Sequence, residues 1–265
     1  MSTSILVENC SKEFTMRYHR TIKQITIARM RRQTISDKFF AVNDVTFTIG
    51  QGEAVGLMGL NGSGKSTLLK IINGVMRPDA GSVRTRGRIA GLIATGAGFH
   101  PQLSGRDNVY LNAAILGMSE AETNRKFEQI VEFADIGKFL DTPVGFYSSG
   151  MFARLGFAVA VHTDSDIFLV DEVLAVGDRP FKKKCLARMT EIKEEGRTLV
   201  YVSHAASSVA KMCERVLVLE KGVLGFDGPA LEGIRYLGYD DDDDEDGPEG
   251  EEGMDEFDEE LGADI

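Results

Sequence analysis

The sequence has few cysteines and no long apolar run, and both shortages limit what the chain can be. Its three cysteines, Cys10, Cys185 and Cys213, lie far apart and form no CxxC pair. So few scattered thiols argue against a disulfide framework and indicate buried, unreactive cysteines in a reducing compartment. No run of 18 apolar residues occurs, so we expect no segment that spans a membrane by itself. The first residues also lack the basic and then apolar pattern of a secretory signal.

Lysine and arginine are absent from the C-terminal tail, and this absence explains the acidic net charge. From Asp240 onward the tail holds 16 of the 41 acidic residues and none of the 30 basic ones, which leaves 25 acids against 30 bases in the body. The net charge of −11 therefore describes the tail, whereas the body is weakly basic. Such a composition buries too little apolar surface to offset the entropy of ordering, so we predict disorder for 238–265.

Apolar patterns predict strands that alternate with helices in the middle of the chain. Near-continuous apolar runs such as EAVGLMGL, DIFLV and TLVYVS are typical of buried strands, and SVRTRGRIAGLI predicts further strand. SGRDNVYLNAAIL and SEAETNRKFEQIVEFA predict helices, and Ser119 with Glu122 predicts a capping box at the second. SILVE and VNDVTFTI at one end, and RVLVLE and VLGFD at the other, predict antiparallel strands. The whole pattern predicts an α/β fold with a mostly parallel sheet and an antiparallel β-subdomain.

A glycine-rich loop follows the run EAVGLMGL and precedes a helical pattern. Its sequence, GLNGSGKST, fits the phosphate-binding pattern GxxxxGK[ST]. Glycines let backbone N–H groups face a phosphate, and the helix that begins near Lys65 adds the positive end of its dipole. Lys65 would reach the β- and γ-phosphates of ATP, and the Ser66 hydroxyl would ligate Mg²⁺. The predicted ATP-binding residues of this loop are Gly59, Leu60, Asn61, Gly62, Ser63, Gly64, Lys65, Ser66 and Thr67.

Polar residues end two of the apolar runs. IFLVDEV contains Asp171 and Glu172, and TLVYVSH ends in His204. Alone, such residues are more often solvated strand ends or structural histidines. With a phosphate loop upstream, acids at the C-terminal edge of a parallel strand are expected in the ligand crevice. We therefore predict Asp171 as a Mg²⁺ ligand, Glu172 as the general base for the attacking water and His204 as a second catalytic residue.

The stretch YSSGMFARLGFAVAV joins a turn of small residues to an apolar helix and contains no acid, histidine or cysteine. In order along the chain, GLNGSGKST, YSSGM, IFLVDE, AVGD and VSH resemble the motifs of the ATP-binding cassette (ABC) ATPases. The resemblance covers about residues 4–237. It implies an ABC nucleotide-binding domain over 1–237, with a P-loop ATPase core and a helical subdomain at about 100–162.

YSSGM occupies the place of the family's LSGGQ signature, which acts across a dimer. Its helix N-terminus, with Ser148 and Gly150, would contact the γ-phosphate held by residues 59–67 of the other subunit, so the turn needs no acid. Two positions depart from the family pattern, because Ser149 replaces a glycine and Met151 replaces a glutamine. The expected signature residues are Ser148, Ser149, Gly150 and Met151.

The resemblance also implies places for three smaller elements. Asp178 in AVGD matches a loop that crosses the dimer interface. An aromatic residue near the end of the first strand stacks on adenine in the family, and Phe14 fits that position, with Tyr18 and Phe40 as alternatives. The glutamine that ordinarily helps to hold Mg²⁺ would fall near Thr95, and Gln102 lies on the wrong side of that position.

Longer phrases, among them LIATGAGFHPQLSGRDNVYLNAAILG and DEVLAVGD, resemble the ATPases of bacterial polysaccharide exporters. The exporters with these ATPases move O-antigens, teichoic acids and related glycans that are carried on a polyprenyl pyrophosphate lipid. The resemblance implies a homodimer that uses ATP and Mg²⁺, a separate transmembrane permease and no nucleic-acid partner, at the cytoplasmic face of the bacterial plasma membrane. Because no carbohydrate-binding β-domain follows, a plain galactan- or teichoic-acid-like polymer is the expected substrate. The alternatives are a soluble, non-transport ABC ATPase and a nucleotide-dependent regulator.

Residues 17–38 are unusually basic, and the exporter ATPases carry an insertion at this place. Ile22, Ile25 and Arg29 lie at helical spacing, and no acid occurs before Asp37. We interpret this basic segment as a short amphipathic helix that meets anionic lipid headgroups or the pyrophosphate lipid. A solvated surface helix is the plainer alternative, and nucleic-acid binding is a weaker one.

Overall fold

A computed structural model describes residues 2–17, 36–92, 98–171 and 178–239. Within these ranges the chain forms two sheets with seven α-helices around them. The strands are β1 Thr3–Arg17, β2 Ser36–Gly50, β3 Ala54–Met58, β4 Ala80–Thr85, β5 Ile89–Leu92, β6 Ile167–Val170, β7 Thr198–Val202, β8 Arg215–Glu220 and β9 Val223–Pro229. The helices are α1 Lys65–Ile72, α2 Gly105–Ile115, α3 Glu120–Ala134, α4 Ser149–Val161, α5 Arg179–Glu194, α6 Ala206–Met212 and α7 Ala230–Tyr236.

The larger sheet has six strands in the order β5-β6-β7-β3-β8-β9. Neighbouring strands run parallel except for β9, which pairs antiparallel with β8. Every residue of β3, β6 and β7 is buried, which explains their continuous apolar runs. The α/β fold with a mostly parallel sheet is therefore confirmed. The C-terminal hairpin was expected in the β-subdomain, and this is wrong, because β8 bonds to β3 and so extends the main sheet.

The smaller sheet is antiparallel, with the order β2-β1-β4, and it forms the predicted β-subdomain. Its first two strands are 15 residues each, much longer than the segments SILVE and VNDVTFTI. Their pairing continues to Met16 opposite Asp37 and Arg17 opposite Ser36. Both ends of the predicted basic insertion, Arg17 and 36–38, therefore lie in strands, and its centre, 18–35, lies outside the described residues. The segment SVRTRGRIAGLI supplies two strands in different sheets, β4 and β5.

A short turn joins α2 to α3, and two 3₁₀ helices, Gly137–Asp141 and Val144–Phe146, lie between α3 and α4. The three α-helices pack together beside the main sheet. Serine side chains begin all three: Ser104 accepts from the Asp107 N–H, Ser119 from the Glu122 N–H and Ser148 from the Met151 N–H. One half of the predicted capping box is present, because the Ser119 hydroxyl accepts from the Glu122 N–H. In the other half, the Glu122 carboxylate accepts from Arg88 Nη1 at 3.0 Å. Helix α4 is apolar almost all round because α3 and α2 pack on it and it also meets β5.

The core lies on both faces of the main sheet, since alternate residues of one strand belong to different apolar clusters. On β6, for example, Phe168 packs with the helical side, and Ile167 and Leu169 pack with the antiparallel sheet and α1. As predicted, the three cysteines are free and buried. Burial raises the pKa of Cys185 and Cys213 to about 12. No helix within the described ranges is long and apolar enough to cross a membrane.

Candidate nucleotide-binding site

The strand order brings the predicted site residues to one edge of the main sheet. Strand β7 lies between β6 and β3, and all three are parallel. Asp171 follows β6, His204 follows β7 and Gly59 follows β3, so all three leave the sheet at its C-terminal edge. Asp171 and His204 line a cleft of about 390 Å³ together with residues 61–67, from the loop after β3 and the start of α1. The tertiary structure thus brings separate parts of the sequence together in one cleft.

The loop between β3 and α1, residues 59–64, is held tightly by backbone contacts and is called the phosphate loop below. The Ser63 N–H donates to Leu60 O at 3.1 Å, and the Gly222 N–H donates to Ser63 O at 2.9 Å. Gly64 has a φ of +108°, and a Cβ there would lie 2.1 Å from Ala41 O. A side chain at Gly64 is therefore excluded twice, by conformation and by the neighbouring backbone.

Lys65 fills the inside of this loop. Its ammonium group donates to Gly59 O at 2.6 Å and to Leu60 O at 3.0 Å, and the residue is only 7% exposed. The helix that Lys65 begins has Gly64 at its N-cap, and this residue has no side chain that could accept from the first N–H groups of the helix. The Ser63 hydroxyl is buried, and it has no hydrogen-bond partner among the described residues. A cation, uncapped N–H groups and an orphaned hydroxyl around one loop fit a phosphate group.

Two oxygen-bearing side chains of the cleft suit a magnesium ion. The Ser66 hydroxyl is exposed and the Asp171 carboxylate is half-buried, and both line the cleft. Carboxylate and hydroxyl oxygens are hard ligands of the kind that Mg²⁺ prefers, and Mg²⁺ usually takes further ligands from substrate phosphates. Within the described ranges no three His, Cys, Asp or Glu side chains form a metal site by themselves. Glu172, the predicted general base, and Thr95 lie outside the described residues.

Two aromatic rings line the cleft at the β1–β2 hairpin. Phe14 and Phe39 are register partners, and their ring centroids lie 5.9 Å apart at an interplanar angle of 27°. Phe39 was not predicted, whereas the alternative Phe40 does not line the cleft, since successive strand residues point to opposite faces. Strand register opposite Phe14 was the signal that could have identified Phe39. Tyr18 lies outside the described residues, and Gln102 is not among the cleft residues of the described chain.

The signature turn, residues 148–151, lies apart from the cleft of its own chain. Ser148 caps α4 through its hydroxyl, which accepts from the Met151 N–H at 3.2 Å. Ser149 is exposed, and among the described residues a Cβ built on Gly150 would meet only Ser148 Oγ, at 3.9 Å. The turn therefore presents a helix N-terminus with two serine residues on an open surface.

Asp178, predicted in a loop at a dimer interface, caps α5 in this structure. Its carboxylate accepts from the Phe181 N–H at 3.4 Å and from Arg154 Nη2 at 2.6 Å. Burial acts to raise the pKa of Asp178, but the hydrogen bond and positive charge of Arg154 hold it below its ordinary value. Asp178 therefore stays ionised at neutral pH and joins α4 to α5.

The family model described as ABC transporter matches residues 42–175. The O-antigen export system ATP-binding protein RfbB of Klebsiella pneumoniae is 43% identical over 224 residues, which cover 83% of this chain and 91% of the relative. The teichoic acids export ATP-binding protein TagH of Listeria innocua is 40% identical over 228 residues, which cover 86% of this chain and 68% of the relative. The predicted likeness to ATPases of polysaccharide exporters is confirmed by these relatives.

Solved structures support the same fold. An ATP-binding subunit of an ABC transporter superposes with a TM-score of 0.70 at 24% identity, covering 89% of this chain and 94% of that one. A dimeric ATP-binding cassette in a post-hydrolysis state, bound to ADP and Pi, gives a TM-score of 0.69 at 22% identity, covering 85% of this chain and 98% of that one. The chain therefore belongs to the ABC transporter family, as an ATP-hydrolysing cassette of the type found in polysaccharide exporters.

Proposed function

We propose that this chain powers the export of a lipid-linked cell-surface polysaccharide across the cytoplasmic membrane. The observation that carries the proposal is the phosphate loop closed around Lys65. Its geometry is suited to a nucleoside triphosphate, which would supply the energy for export. The named functions of the relatives, O-antigen and teichoic acid export, support a glycan substrate. We further propose a plain galactan- or teichoic-acid-like polymer on a polyprenyl pyrophosphate carrier, moved by a separate transmembrane permease.

We propose that two copies act together, each with its phosphate loop opposite the signature turn of the other. The open turn supports this arrangement, since its hydroxyls and N–H groups lie away from the cleft of their own chain. Ser148, Ser149, Gly150 and Met151 would then bind the terminal phosphate from the far side. Asp178, which follows the segment 172–177, would lie near the joint between the two copies.

Within one cleft, each residue has a separate task. Lys65 and the N-terminus of α1 hold the phosphates, and Phe14 with Phe39 offers a flat surface for adenine. Ser66 and Asp171 would hold Mg²⁺, which neutralises phosphate charge when it is bound. Glu172 would accept a proton from the attacking water, and His204, at the end of β7, would orient that water. These roles assign the hydrolysis of ATP to groups that come from three neighbouring strands.

The basic segment 17–38 would act on the lipid side of export, beside the cytoplasmic membrane surface. Its cations would contribute about 1 kcal/mol each near anionic headgroups. Replacing Arg29, Arg31 and Arg32 with Gln should weaken glycan export in cells and leave the ATP affinity of the purified chain unchanged. Unchanged export at matched expression would support the plainer interpretation of this segment as a solvated surface helix.

The deciding experiment measures ATP hydrolysis and export for the same variants. The purified chain should hydrolyse ATP, Lys65→Ala should abolish binding, and cells with this variant should retain glycan inside. Detergent extracts should yield the chain together with a membrane permease. Hydrolysis without any permease or glycan phenotype would favour a soluble, non-transport ATPase, and ATP binding without hydrolysis would favour a nucleotide-dependent regulator.

A further inference from the structure

Tyr147 comes immediately before the signature turn, and its side chain is held at both ends. Its ring packs against the apolar cluster that includes Phe168. Its hydroxyl donates to the carbonyl oxygen of Phe139 at 2.7 Å. Burial, together with the charge of Asp141, raises the pKa of Tyr147, so the hydroxyl remains a donor at neutral pH. The LSGGQ pattern begins with leucine at this place, and a leucine side chain could not make such a bond.

Gly105, the first residue of α2, leaves the space that the Tyr147 hydroxyl fills. A Cβ built on Gly105 would clash with the hydroxyl oxygen of Tyr147 and would lie 2.9 Å from Leu140 O. The backbone at Gly105 has no positive φ, so its conformation does not require glycine. Close approach of the tyrosine hydroxyl and of the Leu140 carbonyl group therefore excludes a side chain at this position.

The segment before Tyr147 is tied to the start of α2 by its backbone. Three hydrogen bonds join residues 142–145 to residues 101–105: Gly105 N–H to Thr142 O at 3.2 Å, Val144 N–H to Leu103 O at 3.0 Å, and Gly145 N–H to Pro101 O at 2.9 Å. Ser148, on the other side of Tyr147, is the N-cap of α4. Tyr147 therefore stands between a fixed segment and the first residue of the signature turn.

We propose that Tyr147 is a positioning residue, whose hydroxyl fixes the direction in which the signature turn points. This inference rests on the proposed function, in which the turn binds the terminal phosphate held by the other copy. Hydroxyl and N–H groups stabilise developing charge best when they are aimed at it in advance. With its ring in the core and its hydroxyl on Phe139 O, Tyr147 holds the Ser148 end of α4 in place before nucleotide arrives. Tyr147 itself lies outside the cleft of its own chain.

Tyr147→Phe removes the hydroxyl and keeps the ring. The signature turn then loses part of its alignment, so kcat for ATP should fall about five- to tenfold, the scale on which a misplaced group slows a reaction. KM for ATP should stay nearly unchanged, because the phosphate loop is untouched. ATP affinity of the isolated chain, measured by equilibrium binding, should also equal that of the unmodified chain.

The chain offers a matched control at Tyr110 on α2. This residue is also partly buried, its hydroxyl donates to Asn124 Oδ1 at 2.7 Å, and its ring stacks on Phe127 at 5.4 Å between centroids. Neither partner belongs to the segment that precedes the signature turn. Tyr110→Phe should therefore change thermal unfolding about as much as Tyr147→Phe does, while kcat stays within about twofold of the unmodified chain.

A second variant at Gly105 separates alignment from stability. In Gly105→Ala the new Cβ displaces the tyrosine hydroxyl, so both kcat and the unfolding temperature should fall. Adding Tyr147→Phe removes the clashing oxygen and should restore part of the unfolding temperature, whereas kcat should stay no higher than in Tyr147→Phe alone, because the hydroxyl bond is still missing. Equal kcat in Tyr147→Phe and Tyr110→Phe, or a kcat that recovers together with stability in the double variant, would overturn the proposal. Hydrolysis by the unmodified chain, and its loss in Lys65→Ala, test the proposed function separately.

Discussion

The phosphate loop and the signature turn both lead into the N-terminus of a helix, yet their surroundings differ greatly. In the phosphate loop, Lys65 is buried and Gly64 lies against the carbonyl oxygen of Ala41. In the signature turn, Ser148 and Ser149 are exposed, and a Cβ on Gly150 would have open space around it. The phosphate loop packs against other parts of its own chain, whereas the signature turn has few neighbours among the residues that the structure describes.

This difference shows how much of each site one chain can supply. A phosphate in the loop would meet a cation, a hydroxyl and N–H groups that are already in place. A phosphate at the signature turn would meet a helix N-terminus and serine hydroxyls, with solvent on the remaining sides. The turn is therefore suited to a ligand that another surface delivers, which agrees with the proposed dimer.

The largest effect should come from Glu172→Gln, which stops chemistry without changing either surface. The amide keeps the side-chain shape but cannot accept the proton of water, so kcat should fall by about 10²–10⁴-fold. ATP should still bind, and size-exclusion chromatography should show a dimer that persists with ATP. The exposed Glu194→Gln on α5 is the control and should behave as the unmodified chain does. Near-normal turnover in Glu172→Gln would move the general base to another residue.

Gly150→Asp places a negative charge at the open turn and should lower the turnover of ATP by about 10²-fold or more. The space around Gly150 admits the side chain, so the isolated chain should fold and bind ATP normally. Gly150→Asn adds a similar volume without charge and should be much less harmful. Mixing Gly150→Asp with Lys65→Ala subunits should restore at most one working site in each dimer. Loss of ATP binding by isolated Gly150→Asp chains would contradict the assignment across the dimer.

Alanine at two glycines tests the comparison directly. Gly64→Ala forces a Cβ against Ala41 O in a left-handed conformation, so it should cost about 1–3 kcal/mol of unfolding free energy and abolish ATP binding. Gly150 lies in the first turn of α4, where alanine favours the helix more than glycine does. Gly150→Ala should therefore raise the unfolding free energy by about 0.5–1 kcal/mol. Urea unfolding monitored by circular dichroism measures both. Equal destabilisation would show that the two turns are packed alike.

The smallest effect concerns His162, at the opposite end of the signature helix. Burial lowers its pKa, and the nearby charges of Arg188, Lys126 and Lys184 add to this, against a hydrogen bond with Ala158 O. The unfolded chain therefore binds this proton more readily, so stability should be full above the ordinary histidine pKa of about 6.5 and fall below it. His162→Gln should show a smaller loss of unfolding free energy between pH 7.5 and pH 5.5, of order 1 kcal/mol or less. An unchanged pH dependence would assign the loss to other groups.

Local patterns in the sequence were enough to predict the phosphate loop, the buried parallel strands and the serine cap of α3. Each of these depends on residues within one or two turns or along one strand, so spacing and residue type reveal it. The motifs that resemble ABC ATPases are equally local, and they predicted the family correctly.

Other features depended on contacts between distant parts of the chain. The pairing of Phe39 with Phe14 follows from the register of a hairpin longer than the apolar pattern suggested. The bond between Arg154 and Asp178, 24 residues apart, follows from the packing of α4 beside α5. Hydrogen bonding of β8 to β3 placed the C-terminal hairpin in the main sheet. The sequence by itself determined the family and the set of predicted site residues, and only the tertiary structure decided which of these residues meet, because packing and strand register join residues that no local pattern connects.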